Sequence, residues 1–135
     1  ICPSDTYHIA RYAVLLCYLG EPEKAMEQIK RAMRIDPFCS DLVLETEGLC
    51  HFVAGDFESA IASFKKMQIE TRTSLFYTAA SLIKIGKSED AKKVLKVAQT
   101  ESGMENEKFV SSQLFQRESD KSSLSGALEE IQASL

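Results

Sequence analysis

The chain is poor in the residues that usually build catalytic and metal sites. It has no tryptophan, only two histidines, and four cysteines without the paired spacing that is typical of zinc sites. Cys50 and His51 are adjacent, but neighbouring residues on a helix point about 100° apart, which is a poor geometry for sharing a metal ion or activating a thiol. We therefore expect no catalytic residue, no cofactor and no metal in this chain.

Long apolar runs and an excess of basic charge are missing as well. No stretch approaches the length of about 18 apolar residues that suggests a membrane-spanning helix. The net charge is −4, and acidic and basic residues are interspersed, whereas nucleic-acid-binding surfaces are concentrated in basic residues. We therefore expect neither a membrane nor a nucleic acid as a partner.

The cysteines favour a reducing, cytoplasmic setting. Cys17 and Cys50 fall within apolar helical patterns and are interpreted as small buried hydrophobic residues. Cys2 and Cys39 add no spacing that is typical of a metal site. The sequence starts at Ile1 rather than at a methionine, and no charged and apolar leader precedes it. We expect the chain to be part of a longer, multidomain protein.

What the sequence does contain is helical periodicity interrupted by glycine. Gly20, Gly55 and Gly86 are spaced 35 and then 31 residues apart, and an alanine follows each of them five residues later. The pattern predicts three pairs of helices, at about residues 6–19, 22–35, 41–54, 57–67, 71–85 and 89–102. Asp5 and Ser88 are the predicted N-caps of the first and the sixth helix. No strand-like alternation competes with this all-α interpretation.

Recurring small and large residues resemble the tetratricopeptide repeat, a helix–turn–helix unit of about 34 residues. The corresponding positions are Ile9, Tyr12, Ala13, Leu16, Ala25, Ile29 and Pro37, then Leu44, Glu47, Gly48, His51, Ala60 and Phe64, then Leu75, Thr78, Ala79, Leu82, Ala91 and Leu95. Ala32 and Ile35 share the apolar stripe of the second helix with Ala25 and Ile29. Glu47, His51 and Thr78 depart from the pattern. The resemblance implies an all-α, right-handed superhelical array of about three repeats within residues 1–101, at about 5–37, 38–71 and 72–101.

Residues 102–135 depart from the repeat. The pattern predicts a short helix over residues 106–116 and a final helix that Asp120 caps, with Leu124, Leu128, Ile131 and Leu135 on one face. Repeat arrays need a terminal element that covers the last unit. Two alternatives stay open: this C-terminal segment caps the array, or it fills a groove of its own or of another molecule.

The resemblance also implies a partner-binding surface, because the first helix of each repeat lines the concave side in this family. Carried over to this sequence, that surface holds Tyr7, Val14, Tyr18, Leu42, Glu45, Leu49, Phe52, Phe76, Ile83 and Lys84. Its apolar and aromatic character suits an amphipathic helix or an extended apolar segment of a protein or peptide. The alternative is that these side chains pack against neighbouring helices and leave little groove. The family's carboxylate-clamp positions hold Ala10, Val14, Thr46, Thr73 and Tyr77, so that binding mode is not expected.

A narrower resemblance is carried by residues 36–61, DPFCSDLVLETEGLCHFVAGDFESAI. This stretch is similar to the linker and second repeat of the C-terminal tetratricopeptide regions of bacterial class III adenylate/guanylate cyclases. That resemblance implies a non-catalytic module that regulates or localises a signalling enzyme. The alternatives are a homo-oligomerisation module that forms a homodimer, and the sensor region of a bacterial transcriptional regulator.

Overall fold

The computed structural model describes residues 4–38 and 40–135, and this part of the chain forms eight α-helices and no strand. The helices are α1 Ser4–Tyr18, α2 Pro22–Ile35, α3 Asp41–Ala54, α4 Phe57–Lys65, α5 Arg72–Lys84, α6 Ser88–Ser102, α7 Asn106–Ser112 and α8 Glu118–Ala133. The predicted all-α class is confirmed. Cys2 and Cys39 lie outside the described residues. None of the helices within them has both the length and the apolar character that crossing a membrane requires.

Glycines in the left-handed region follow four of the helices. Gly20, Gly55, Gly86 and Gly103 have φ angles of 79°, 85°, 84° and 64°. Residues with a Cβ rarely adopt this region, which is why glycine is common directly after a helix. The predicted helix stops are therefore confirmed.

Three predicted N-caps are wrong. Asp5 lies inside α1, Ser88 is the first residue of α6, and Asp120 is the third residue of α8. The residues at the N-cap positions of α6 and α8 are Lys87 and Arg117, and neither side chain makes a capping hydrogen bond. A carboxylate inside the first turn still interacts favourably with the positive end of the helix dipole, which explains why an acidic residue stands near each start.

Consecutive helices pack in pairs, α1 with α2, α3 with α4 and α5 with α6, and α3 and α5 also contact the preceding pair. Ala25, Ala60 and Ala91 are fully buried. Gly48 in α3 lies against the ring of Phe64 in α4, where a Cβ atom would overlap the ring. Small residues thus let the paired helices approach each other closely, as their spacing in the sequence predicts.

Two positions of the apolar stripes predicted for α1 and α2 are exposed instead of packed. Tyr12 is 52% exposed and Ile35 is 45% exposed. Ile35 is the last residue of α2, and Tyr12 shares the outer face of α1 with the exposed Leu15 and Leu19. Within the described residues no helix covers that face of α1.

The last helix covers the end of the third helix pair. α8 packs against α5, α6 and α7. Leu124, Leu128 and Ile131 are fully buried, whereas Leu135, predicted on the same face, follows α8 and is exposed. α8 therefore packs on the last helix pair. The residues that directly precede α8 contact the end of α1 instead.

Candidate functional site

The ten residues implied as partner-binding come from α1, α3 and α5, and the surface they define is called the inner surface below. Tyr7 and Lys84 are exposed. Val14, Tyr18, Leu42, Glu45 and Ile83 are half-buried, and Leu49, Phe52 and Phe76 are buried. The surface is therefore not an open apolar groove along its whole length. The parts of the chain that bury the aromatic side chains of this surface determine which partners the surface can bind.

The third helix pair buries its aromatic residues against α7. The rings of Phe76 and Phe109 stack with centroids 4.2 Å apart and planes inclined by 14°. The ring of Tyr77 meets Phe109 edge-on at 5.7 Å and Phe52 edge-on at 5.0 Å. Phe76, Tyr77 and Phe109 have no exposed surface. Phe76, implied as a partner contact, thus contacts the chain's own C-terminal part.

Gln113 connects the two ends of the inner surface. Its Oε1 atom accepts a hydrogen bond from the hydroxyl of Tyr77 at 2.8 Å and one from the hydroxyl of Tyr18 at 3.3 Å. Burial raises the pKa of Tyr77 and that of Tyr18, so both hydroxyls stay protonated and act as donors at neutral pH. One amide oxygen thereby satisfies two partly or fully buried hydroxyl groups on α5 and α1.

The residues after Gln113 run along the end of α1. The backbone N–H of Gln116 donates to the carbonyl of Tyr18 at 2.8 Å, which satisfies one of the acceptors that the end of a helix leaves open. The ring of Phe115 meets the ring of Tyr18 edge-on at 5.2 Å. The side chain of Arg117 lies over Gly20, where a Cβ atom would overlap it. Residues 109–117, called the tail segment below, therefore extend from α5 to the end of α1.

Glu45 is half-buried and makes a contact within the fold. Its Oε2 atom accepts a hydrogen bond from Oγ1 of Thr71 at 2.6 Å. Thr71 is also the N-cap of α5 and accepts from the N–H of Ser74. Burial raises the pKa of Glu45, and the hydrogen bond from Thr71 opposes that shift. This carboxylate links α3 to the start of α5.

Five further residues of the inner surface stay near solvent, whereas Leu49 is buried in the core. Nζ of Lys84 lies 5.9 Å from the ring centroid of Phe57, within the range of a cation–π contact. Tyr7 meets the ring of His8 edge-on at 5.6 Å. Val14, Leu42 and Ile83 pack partly against the core. These residues contribute no metal-binding cluster.

Sequence reasoning did not identify the residues that occupy the inner surface. Phe109 and Phe115 stand out as apolar residues after the last repeat, but nothing in their spacing shows that they meet Phe76 and Tyr18. Gln113 carries no local signal at all. Its two partners are 95 and 36 residues away in the sequence, so only the tertiary fold reveals its role.

Outside the inner surface, the described residues include no metal-binding cluster, and they border a cavity. No group of three or more His, Cys, Asp or Glu side chains in them is placed to hold a metal ion. A cavity of about 1030 Å³ lies between the end of α6, α7 and α8, and its lining includes Glu105, Lys121 and Glu129. Glu105 and Glu129 are exposed, so this cavity does not bury its carboxylates as an active site often does.

No family model, no curated protein and no solved structure matches the chain. The contacts of the inner surface therefore carry the functional argument.

Proposed function

We propose that the chain is a non-catalytic helical-repeat module of the tetratricopeptide type that binds a protein or peptide segment on its inner surface. One observation carries the proposal: the tail segment already lies there, with Phe109 stacked on Phe76 and Gln113 bonded to Tyr77 and Tyr18. A partner would bind by making the same two kinds of contact, an aromatic ring that stacks on the surface and an amide that accepts hydrogen bonds. The repeat assignment itself is supported by the pairwise packing of the helices and the spacing of the left-handed glycines.

The tail segment defines the chemistry that such a partner would need. Its short helix, α7, carries an aromatic ring at Phe109, an amide oxygen follows at Gln113 and a second ring at Phe115. Leu114 between them is 65% exposed and contributes little. The module would thus recognise a short helical turn with an aromatic residue, followed by a hydrogen-bond acceptor and a second aromatic residue.

The tail segment also makes the binding conditional. A segment tethered by a short connection competes at an effective concentration on the order of millimolar. A free partner must therefore bind more tightly than the tail segment, or the tail segment must be released first. The inner surface is then a regulated site, which fits a regulatory or localising module.

A labelled peptide copy of residues 106–117, NEKFVSSQLFQR, tests this proposal. The full-length chain with Phe109→Ser loses the ring that holds its own tail segment, so we expect it to bind the peptide about tenfold or more tightly than the unsubstituted chain. Fluorescence anisotropy measures both affinities. Circular dichroism shows whether the variant keeps its helices.

Two altered peptides serve as matched controls. Replacing the Phe that corresponds to Phe109 with Ser should abolish binding, because the stacked ring is lost. Replacing the Leu that corresponds to Leu114 with Ser should leave the affinity unchanged. A folded variant that binds the original peptide no better than the unsubstituted chain does would count against the inner surface as a binding site.

The parent of this module is proposed from the sequence resemblance alone. Residues 36–61 favour the regulatory C-terminal part of a bacterial adenylate/guanylate cyclase over a transcriptional regulator. Sequencing the coding region ahead of Ile1 distinguishes them. A nucleotide-cyclase domain supports the first, and a DNA-binding domain supports the second.

A second function, homodimerisation, is favoured by the outer face of α1. Leu15 is 53% exposed. Cys50 and Ser81 hold the corresponding positions of the next two helix pairs, because they follow at the same spacings of 35 and 31 residues as the glycines, and both are fully buried. In the second helix pair this position faces Cys17 of the preceding α1, and in the first helix pair no described helix covers it. A second copy of the chain, related by a two-fold axis, would cover both α1 faces at once.

Sedimentation velocity tests the dimer directly. We expect Leu15→Lys to convert a dimer into a monomer, whereas Val97→Lys, at an exposed apolar position of α6, should have no effect. A chain that sediments as a monomer at high concentration rules out this second function. The peptide experiment is unaffected by that result.

A further inference from the structure

Two buried thiols face each other between α1 and α3. The Sγ atoms of Cys17 and Cys50 lie 3.1 Å apart, and both side chains have no exposed surface. Both are free cysteines. A disulfide bond is about 2.05 Å long, so its formation requires the two sulfur atoms to approach by only about 1 Å. The binding function proposed above makes no use of these thiols.

We propose that Cys17 and Cys50 are an oxidative modification site, at which an intramolecular disulfide crosslinks α1 to α3. The bond would join the first helices of the first two helix pairs, which already pack against each other. Because it closes a loop between positions 33 residues apart, it would restrict the unfolded chain and stabilise the folded one. This inference does not depend on the proposed function.

The chemistry is thiol–disulfide exchange with a small disulfide, such as oxidised glutathione. One cysteine thiolate attacks a sulfur of the oxidant, which forms a mixed disulfide and releases one glutathione. The second cysteine then attacks the protein sulfur of that mixed disulfide and releases the second glutathione. The two cysteines lose two protons and two electrons, and the disulfide bond of the oxidant is reduced to two thiols.

Burial makes this modification slow in the native state. The hydrogen bond with Cys50, followed by burial, raises the pKa of the Cys17 thiol, so the attacking thiolate is scarce. No water or oxidant reaches either sulfur while α1 is in place, because both side chains are fully buried. α1 has an outer face that no described helix covers and packs on α2 and α3, so its local opening would admit the oxidant. Reclosure brings the sulfur atoms together and shields the new bond.

The test uses the full chain with Cys2→Ser and Cys39→Ser, so that Cys17 and Cys50 are the only thiols. This protein is unfolded in urea and refolded with oxidised glutathione. Intact mass spectrometry should show the loss of two hydrogen atoms, without bound glutathione. The urea midpoint should then shift upward relative to the reduced protein, and dithiothreitol should reverse both changes.

The same protein with Cys50→Ala in addition is the matched control, and its urea midpoint should not rise on oxidation. Three results would overturn the proposal. Cys17 and Cys50 could each carry a glutathione after refolding, both could remain thiols, or the disulfide could form and lower the midpoint. The last result would mean that the native positions of α1 and α3 do not accommodate the bond.

Discussion

At the scale of single residues, the two glycines inside helices differ in what lies beside them. Gly48 lies against the ring of Phe64, whereas a methyl group added at Gly126 would have no neighbouring atom within 4 Å. Alanine is favoured over glycine in a helix by about 1 kcal/mol at either site. At Gly48 the added methyl must displace a buried ring, which costs about 1–3 kcal/mol. We expect Gly48→Ala to lower the free energy of unfolding and Gly126→Ala to raise it, as measured by urea denaturation.

A compensating change separates crowding from other effects at Gly48. Adding Phe64→Leu to Gly48→Ala makes room for the methyl, so the double variant should show less than the sum of the two single losses. If Gly48→Ala is as stable as Gly126→Ala, then α3 and α4 are not in close contact at this crossing. Both measurements use the same urea series.

Glu45 gives the fold a pH dependence of known sign. Burial raises the pKa of Glu45 above the usual 4.5, which means that folding favours the protonated carboxyl group. The stability that this preference gives is fully present below pH 4.5 and is lost as the pH rises through the folded-state pKa. Glu45→Gln keeps an oxygen that can accept from Thr71 and does not titrate. We expect the free energy of unfolding of this variant, relative to the unsubstituted chain, to increase between about pH 4 and about pH 7.

The exposed Glu58→Gln is the matched control, because it removes one negative charge at a site without burial. Urea denaturation at both pH values gives the comparison. If the advantage of Glu45→Gln stays constant or shrinks as the pH rises, the carboxylate is not held in a buried setting.

At the scale of elements, the tail segment is joined to the helix pairs mainly through Phe109. Its ring lies against Phe76 and Tyr77 and is fully buried, so Phe109→Ala should cost about 3–5 kcal/mol in free energy of unfolding. Leu114→Ala, in the same segment but 65% exposed, should change it by less than about 0.5 kcal/mol. Urea denaturation measures both. A loss below about 1 kcal/mol for Phe109→Ala would mean that the segment is detached in solution.

At the scale of the whole molecule, protection from solvent increases along the first helices of the three pairs, from α1 through α3 to α5. α5 contacts α3, α4, α6 and α8, and most of its residues are buried. α1 packs on α2 and α3 and leaves Tyr12, Leu15 and Leu19 exposed. We expect amide hydrogen exchange, followed by mass spectrometry, to be slowest in α5 and faster in α1.

Equal protection of α1 and α5 would contradict this gradient. Repeating the exchange with Leu15→Lys then shows the reason. If α1 loses protection in that variant, a second copy covers its outer face in the unsubstituted chain. If it does not, the helices unfold only as one cooperative unit.

Local signals are sufficient for much of this fold. The left-handed region at Gly20, Gly55 and Gly86 stops a helix whatever lies around it, and the predicted bounds of α3 agree with the observed ones. Two of the predicted N-caps, Asp5 and Asp120, are wrong because an acidic residue is favourable anywhere in a first helical turn, so its presence does not locate the first residue. The third, Ser88, lies one position inside its helix. The spacing of the alanines likewise predicts close helix pairs without any knowledge of distant contacts.

The site, in contrast, depends on contacts that no local pattern encodes. The sequence alone establishes an all-α chain, its helix stops and the small residues at the helix crossings, because these follow from backbone conformation and nearest neighbours. It does not show that Phe109 covers Phe76, or that Gln113 joins Tyr18 to Tyr77 across 95 and 36 residues. Those contacts arise only when the packed helix pairs leave an apolar surface that the chain itself can cover. Tertiary packing therefore determines that the tail segment covers the inner surface. The local sequence determines only the helices that form this surface.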